Sequence, residues 1–437
     1  MIGQWFGRTF DSLSNPQFRI LWIGTSFAFV SFMMSFTAQS VVAFDLAGTN
    51  KAVGIVSVGS GLSMFLVGPF GGVLADRFSK RKLLLLGQTL VATTFLVIGL
   101  LVITNTVTIA LLVAMTFIMG LAFSLTGPTR QAYVGELVPR DKIPNAVALS
   151  QLPMTLSRVI SPLLAGLLIG ISAIGSGGTF LFMAGLFILV LSTLRRLPDS
   201  KPREGVQRSL TADLKAGLGH VRARPRLRLL VLSFILLVML GFPYQTVLPA
   251  FLENELHRPA REVGFLLGIS AIGGVVAAVG VASMAGGRLA WPVMYGMGIV
   301  FGVALIVLSF MPSYSTAMIL MVVVGLGSTG FQMLNNALQM SETEPAYYGR
   351  VMSLTMLAWG SQSITALPYG LLADEVGERA ALVVMGVAVL GLLALSFSIW
   401  AAIRRGSPLP APSPLVAAPP LGVMLPQKSG LSASGGD

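Results

Sequence analysis

Apolar stretches about twenty residues long follow one another along almost the whole chain, and they restrict what it can fold into. A helix rises 1.5 Å per residue, so roughly twenty apolar residues cross about 30 Å of hydrocarbon. Twelve such stretches are legible, near 18–44, 53–75, 83–103, 107–129, 145–171, 179–197, 228–252, 263–284, 290–311, 316–337, 350–373 and 380–403. A water-exposed surface is not available as an alternative. Only 11% of the 437 residues are charged, against roughly 25% in soluble domains. The expected class is an all-α membrane protein with twelve transmembrane helices.

The twelve stretches fall into two similar sets. "NPQFRILW" opens the first and "RPRLRLLV" the seventh; "AVGIVSVGSG" opens the second and "EVGFLLGISA" the eighth; "PLLAGLL" in the fifth matches "PYGLLAD" in the eleventh. A separation that stays near 205–210 residues marks a duplicated six-helix unit. Copies with an even number of spans run parallel and give two pseudo-symmetric bundles. The expected organisation is a first bundle over 1–197, a basic linker over 198–228, a second bundle over 229–405 and a disordered tail, rich in Pro, Ser, Gly and Ala, over 406–437.

Charge placement sets the expected orientation. With both termini on one side, that side receives 24 of the 29 Lys and Arg; Lys51, Arg258, Arg261 and Arg379 fall on the other, and Arg158 lies inside a span. The positive-inside rule makes the basic side cytoplasmic. The net charge of +12 is therefore read as contact with anionic lipid headgroups and not with nucleic acid. The first residues lack the pattern of a cleavable signal peptide. They read as an interfacial amphipathic segment with Trp5, Phe6 and Phe10 toward lipid.

Several chemistries are excluded by composition. There is no cysteine, and the two histidines, His220 and His257, lie in charged connections. No thiolate metal site, disulfide framework or catalytic triad is expected, and no cofactor. No phosphate-binding G-x-x-x-x-G-K-[ST] loop occurs, which argues against an ATP-driven pump. The chain does not read as an enzyme.

"GGVLADRFSKRK", between the second and third spans, packs five ionisable residues into the seven positions 76–82. Gly68 and Gly72 lie one turn apart and permit close helix contact. Asp76 can cap or pair across the interface, and the basic run can bind headgroups. Gly72, Leu74, Asp76, Arg77, Lys80 and Arg81 resemble the G-x-L-a-D-r-x-G-r-k motif of the major facilitator superfamily, with Ser79 at the second glycine. The resemblance implies the major facilitator fold and a gate built from Gly72, Asp76, Arg77, Lys80, Arg81 and Glu136. In the second half, "VASMAGGRLA" keeps Arg288 and has no acid.

A second stretch, 123–168, carries Pro128, Arg130-Gln131-Ala132, Glu136 to Pro139, Asn145-Ala146 and Arg158-x-x-x-Pro162-x-x-x-Gly166. It resembles the bacterial exporter branch that contains enterobactin and macrolide efflux proteins. The last piece is similar to an antiporter motif, with Ser161 where glycine is usual. What the resemblance implies is proton-coupled export of small molecules; the expectation is drug-like or siderophore-like cargo carried across the inner membrane by a monomer. Uniport, or uptake of a metabolite or lipid, stays open on the same fold.

Arg158 lies eleven residues beyond Val147, roughly 16 Å into its span. A cation at that depth costs on the order of 3 kcal/mol unless matched. Arg158 reads as facing a watery cavity and an acidic part of a substrate, or else as a strut bonded to carbonyls. Phe36, Gln39, Tyr244, Gln245, Gln332, Asn335, Asn336, Trp359 and Gln362 are further candidate substrate-binding residues. Polar groups scattered on apolar spans suit amphipathic ligands, although each alone also serves as helix glue. No acid shares the depth of Arg158, so proton coupling is expected at Asp45, Asp76 or Glu253. Pro69, Pro162, Pro243, Pro249 and Pro368 are expected to kink their spans.

Overall fold

In hydrocarbon a chain must satisfy its own N–H and C=O groups, and helices do so within one segment. The computed structural model describes residues 11–139, 142–200, 210–282, 284, 289–344 and 347–406, and among these there is no strand. The first half comprises α1 (Pro16–Ala47), α2 (Asn50–Arg77), α3 (Lys80–Ile103), α4 (Ile109–Leu137), α5 (Ile143–Gly170) and α6 (Gly175–Arg195). A linker helix, α7 (Leu210–Ala223), leads into α8 (Pro225–Gly241), α9 (Tyr244–Ala250), α10 (Val263–Ala282), α11 (Ala290–Ser309), α12 (Tyr314–Ser341), α13 (Tyr348–Val376) and α14 (Glu378–Gly406).

The helices α8 and α9, with the π turn Phe251–Glu255, form one broken span, so the described residues hold twelve long helical segments, six in each half. Among the described residues ten spans are long and apolar enough to cross a membrane, and α5, counted across its bend of 43°, is an eleventh. The twelfth segment, α13, has 29 residues and several Ser, Thr and Gln. The bend in α5 falls between Arg158 and Ile160. Pro162 explains it, because a proline cannot donate to the carbonyl one turn earlier. Pro243 sits at the break between α8 and α9, and Pro249 lies inside α9. Pro368 lies inside α13, which continues through it. The surroundings of Pro69 lie outside the described residues.

Within each half, the second helix packs closely on the fourth. In the first half the Thr116 hydroxyl donates to the carbonyl of Val56 at 2.9 Å. In the second, a Cβ on Gly325 would fall 1.6 Å from the carbonyl oxygen of Ser270, a contact that only glycine permits. Apolar side chains stay exposed on the outer helices, such as Ile188 on α6 at 67% and Leu395 on α14 at 61%. That surface is matched to lipid.

The N-terminal residues 1–10, with Trp5, Phe6 and Phe10, lie outside the described residues. A short 3-10 turn follows, Asp11–Ser14. It docks on the α4–α5 connection: Ser12 N donates to Asn145 Oδ1 at 3.1 Å, and Lys142 pairs with Asp11 at 2.9 Å. Asn15 caps α1 and donates its own amide to Leu137 O at 2.8 Å.

The basic run after α2 departs from expectation. Lys80 does not reach for headgroups. It is 2% exposed and paired with Glu136 on α4 at 2.7 Å. Its backbone N–H donates to Ser200 Oγ at 2.6 Å, and Arg81 donates to the carbonyl of Arg195 at 2.7 Å. The Ser79 hydroxyl donates to Asp199. That bond, with the nearby Lys82 and Arg81 charges, holds the Asp199 carboxyl below the usual carboxylate range. All of these contacts tie the run to its own half, because Lys80 begins α3 beside the ends of α4 and α6. The side chains of Asp76 and Arg77, and the surroundings of Gly72, lie outside the described residues. Removing one partner of a buried ion pair strands the other. Glu136→Leu, which strands the buried Lys80, should therefore cost about 3 kcal/mol, and Glu136→Leu with Lys80→Met should regain most of it. Thermal unfolding of the detergent-solubilised protein measures both, and equal melting of the two variants would show that the pair is not coupled.

Candidate functional site

A cavity of ≈ 300 Å³ lies between the halves. Its walls come from α1, α2, α4 and α5 on one side, and from the α8–α9 junction, α10, α12 and α13 on the other. The remaining membrane helices stay outside. Seven of the residues singled out in the sequence line it: Phe36, Gln39, Arg158, Tyr244, Gln245, Gln332 and Gln362. They arrive from four helices and the α8–α9 break, because a polar residue in an apolar span turns away from lipid toward the polar interior.

Arg158 is the centre of the site. The bend of α5 places it against the second half, where Nη1 donates to Gln332 Oε1 across a long 3.5 Å. It lines the cavity and keeps water-accessible surface there. Gln39 donates to the Met119 sulfur at 3.2 Å. The rest of the lining is apolar, with Phe32, Met33, Met64, Phe123, Met154 and Phe242. Hydroxyls complete it, among them Ser57, Ser60, Ser328 and Thr329, none of which sequence reasoning had selected.

Two candidates belong elsewhere. Asn336 does not line the cavity, and its side-chain oxygen is buried without a hydrogen bond among the described residues. Its neighbour Asn335 is helix glue: it donates to Leu230 O at 3.2 Å and accepts from Gln339 at 2.5 Å. The side chain of Trp359 lies outside the described residues. Asp45 and Glu253 do not line the cavity either; both are exposed near each other and Arg261, at the end of the molecule opposite the basic run.

That far end is where the halves meet. Asp374, at the C-terminal end of α13, accepts from the backbone N–H of Asn50 at 2.8 Å and of Lys51 at 2.8 Å. The Asn50 amide donates to Asp374 at 3.1 Å and to the buried Glu378 at 3.0 Å, and Asn254 donates to Glu378 at 2.8 Å. Asp374 thus caps the N-terminus of α2 from the other half, where free N–H groups and the helix dipole favour an anion. Sequence reasoning missed this latch. A signal was present, since "GLLADEVGER" (370–379) repeats the G-x-L-A-D of Gly72 to Asp76 and places Arg379 where the first copy has Arg81.

Close backbone contact supports the latch. A Cβ on Gly264 of α10 would lie 2.5 Å from Pro162 O and 2.7 Å from Gly166 Cα, both on α5. Gly264→Leu should therefore force the far ends apart. Fluorescent labels on α5 and α10 should report a longer distance, and an unchanged distance would show that the contact does not set the separation.

The chain has recognisable relatives. The profile of a family described as transmembrane secretion effectors matches residues 8–431. The enterobactin exporter EntS of Escherichia coli O1:K1 is 25% identical over 360 residues, 80% of this chain and 83% of that protein. The enterobactin exporter EntS of Shigella boydii serotype 18 is 26% identical with the same coverage. Among solved structures, a bacterial homolog of the human lysosomal transporter Spinster, inward-facing and unoccupied, gives a TM-score of 0.72 at 14% identity, over 90% of this chain and 98% of that one. The nucleoside transporter NupG gives 0.70 at 14% identity, over 88% and 100%. At such identity these two structures speak for the fold alone.

Proposed function

We propose that this chain, which belongs to the transmembrane secretion effector family of the major facilitator superfamily, exports amphipathic small molecules with an acidic group across a bacterial inner membrane. The observation that carries the reading is Arg158 of one half reaching Gln332 of the other inside the cavity. A cargo anion that displaces this long contact would draw on both halves at once. The apolar and hydroxylated walls suit the remainder of an amphipathic molecule. Relatives named for enterobactin export favour a siderophore-like cargo.

In this reading the basic end faces the cytoplasm. The far end is latched, so the structure corresponds to the state that loads cargo from inside. Alternating access then requires the far latch to open and the basic end to close. Protons are the proposed counter-substrate, acting at Asp45, Glu253 or Asp76. The protein works as a monomer, its basic end among anionic headgroups.

One observation favours a second reading, uniport: no carboxylate lines the cavity among the described residues. Proteoliposomes separate the two. With enterobactin as cargo, an imposed proton gradient should accelerate its transport, and an uncoupler should remove the acceleration. Transport indifferent to the gradient would establish uniport. No transport of any acidic amphipath would remove the cargo class.

A further inference from the structure

The aromatic wall of the central cavity has a second side. Phe32 and Phe123 stack with their centroids 4.5 Å apart, and both also line a small pocket inside the first half. This pocket, ≈ 20 Å³, lies among α1, α3, α4 and α6. It has room for about one water-sized particle. Its polar lining is Gln88, Thr126 and Arg130.

Arg130 lies seven residues before the end of α4, about 10 Å along the helix. Its guanidinium stands 4.9 Å from the centroid of Phe29, and no carboxylate among the described residues is close enough to neutralise it. A ring face offsets only part of a half-buried charge such as this one. Gln88 is 4% exposed, it lines the pocket, and its amide has no hydrogen-bond partner among the described residues. The Thr126 hydroxyl is held only by a 3.4 Å bond to Phe123 O. One uncompensated cation, an amide and a hydroxyl therefore converge on a space too small for a carboxylate or phosphate. A water molecule would fill it without balancing the charge.

We propose that Arg130, Gln88 and Thr126 bind a small inorganic anion of the chloride class inside the first half. The anion supplies the missing countercharge and accepts from all three side chains. Because Phe32 and Phe123 separate it from the cargo site, its presence also supports that wall from behind.

The test uses the purified full chain in detergent, melted in chloride or bromide titrated against gluconate at constant ionic strength. Chloride and bromide should raise the melting temperature saturably, while gluconate, too large to enter, should not. Gln88→Leu should raise the half-saturating chloride concentration by about tenfold, and Thr126→Val should raise it by a smaller factor. These neutral variants keep the question answerable should Arg130→Gln fail to fold. Bromide anomalous diffraction should give a peak between Arg130 and Gln88. Identical melting in chloride and gluconate would overturn the proposal, as would an anion effect unchanged in both neutral variants. A siderophore that stabilises Arg158→Ala in gluconate, but not Arg158→Ala with Gln88→Leu, would assign the pocket to cargo and overturn it too.

Discussion

Arg158→Ala is expected to reduce export of acidic amphipaths by roughly 100-fold, and export of neutral ones by only a few-fold. Losing one partner of an enclosed, hydrogen-bonded charge pair costs about 3 kcal/mol, which corresponds to that factor. Two effects oppose each other here. The empty cavity must keep Arg158 solvated, and a bound anion must give up its own water to reach it. The balance favours binding because Arg158 lines the cavity and its 3.5 Å contact with Gln332 is long enough for a cargo anion to displace. Arg158→Lys separates charge from shape. It retains the cation and loses the planar fork, so an intermediate rate is expected for cargo bound through two oxygens. Gln332→Ala removes the contact that competes with cargo and should leave anion binding intact or tighter. Initial transport rates in proteoliposomes, for an acidic cargo and its neutral ester, provide the measurement. Equal losses for both would make Arg158 a strut between α5 and α12 and end its part in recognition.

The spans were legible because each is an apolar run with charged ends, a pattern that hydrocarbon imposes on any chain. Gln39, Gln245, Gln332 and Gln362 were legible for the converse reason, as long polar side chains that lipid will not solvate. The hydroxyls were not. Ser57 bonds the carbonyl of Val53 at 2.9 Å and Ser60 that of Ser57 at 3.0 Å. A serine that bonds its own helix can face lipid, a neighbour or a cavity, so its identity does not betray its side. Asn335 and Asn336 show a related limit. Adjacent helical positions point about 100° apart, and one glance at the pair cannot assign them. Lys80 shows another: the positive-inside rule counts charges by side of the membrane and is silent on burial.

The missed latch follows from topology. Contacts of Asn50 with Gly370, Gly54 with Leu367 and Gly61 with Ser363 show α2 and α13 running antiparallel along each other. The G-x-L-A-D ending of each helix is therefore carried to the level of the other's N-terminus. A search at the 205–210-residue spacing of the halves finds only the weak "VASMAGGRLA". The second good copy ends a helix on the opposite side of the molecule, where Asp374 caps α2.

Asp374→Ala should therefore shift the protein toward the state open at the far end. The bond geometry is favourable, with two backbone N–H groups and one amide meeting a single carboxylate. Exposure of Asp374 tempers its strength, and α2 keeps a second cap, the Thr49 side chain bonded to Ala52 N at 3.3 Å. A loss of about 1.5 kcal/mol is reasonable for such a cap, or about tenfold in the open-to-closed ratio. The chain has no cysteine, so Ser57→Cys alone reports access to the cavity. Its reaction with a membrane-impermeant thiol reagent added from the far side should accelerate about tenfold in the Asp374→Ala background. Asp374→Asn, which still accepts one bond but carries no charge, should fall between. Lys51→Ala discriminates the mechanism, because Lys51 contributes its backbone N–H and alanine keeps that group. If Lys51→Ala accelerates labelling as much as Asp374→Ala, the ends are held by a side-chain ion pair and the helix cap is not what closes them.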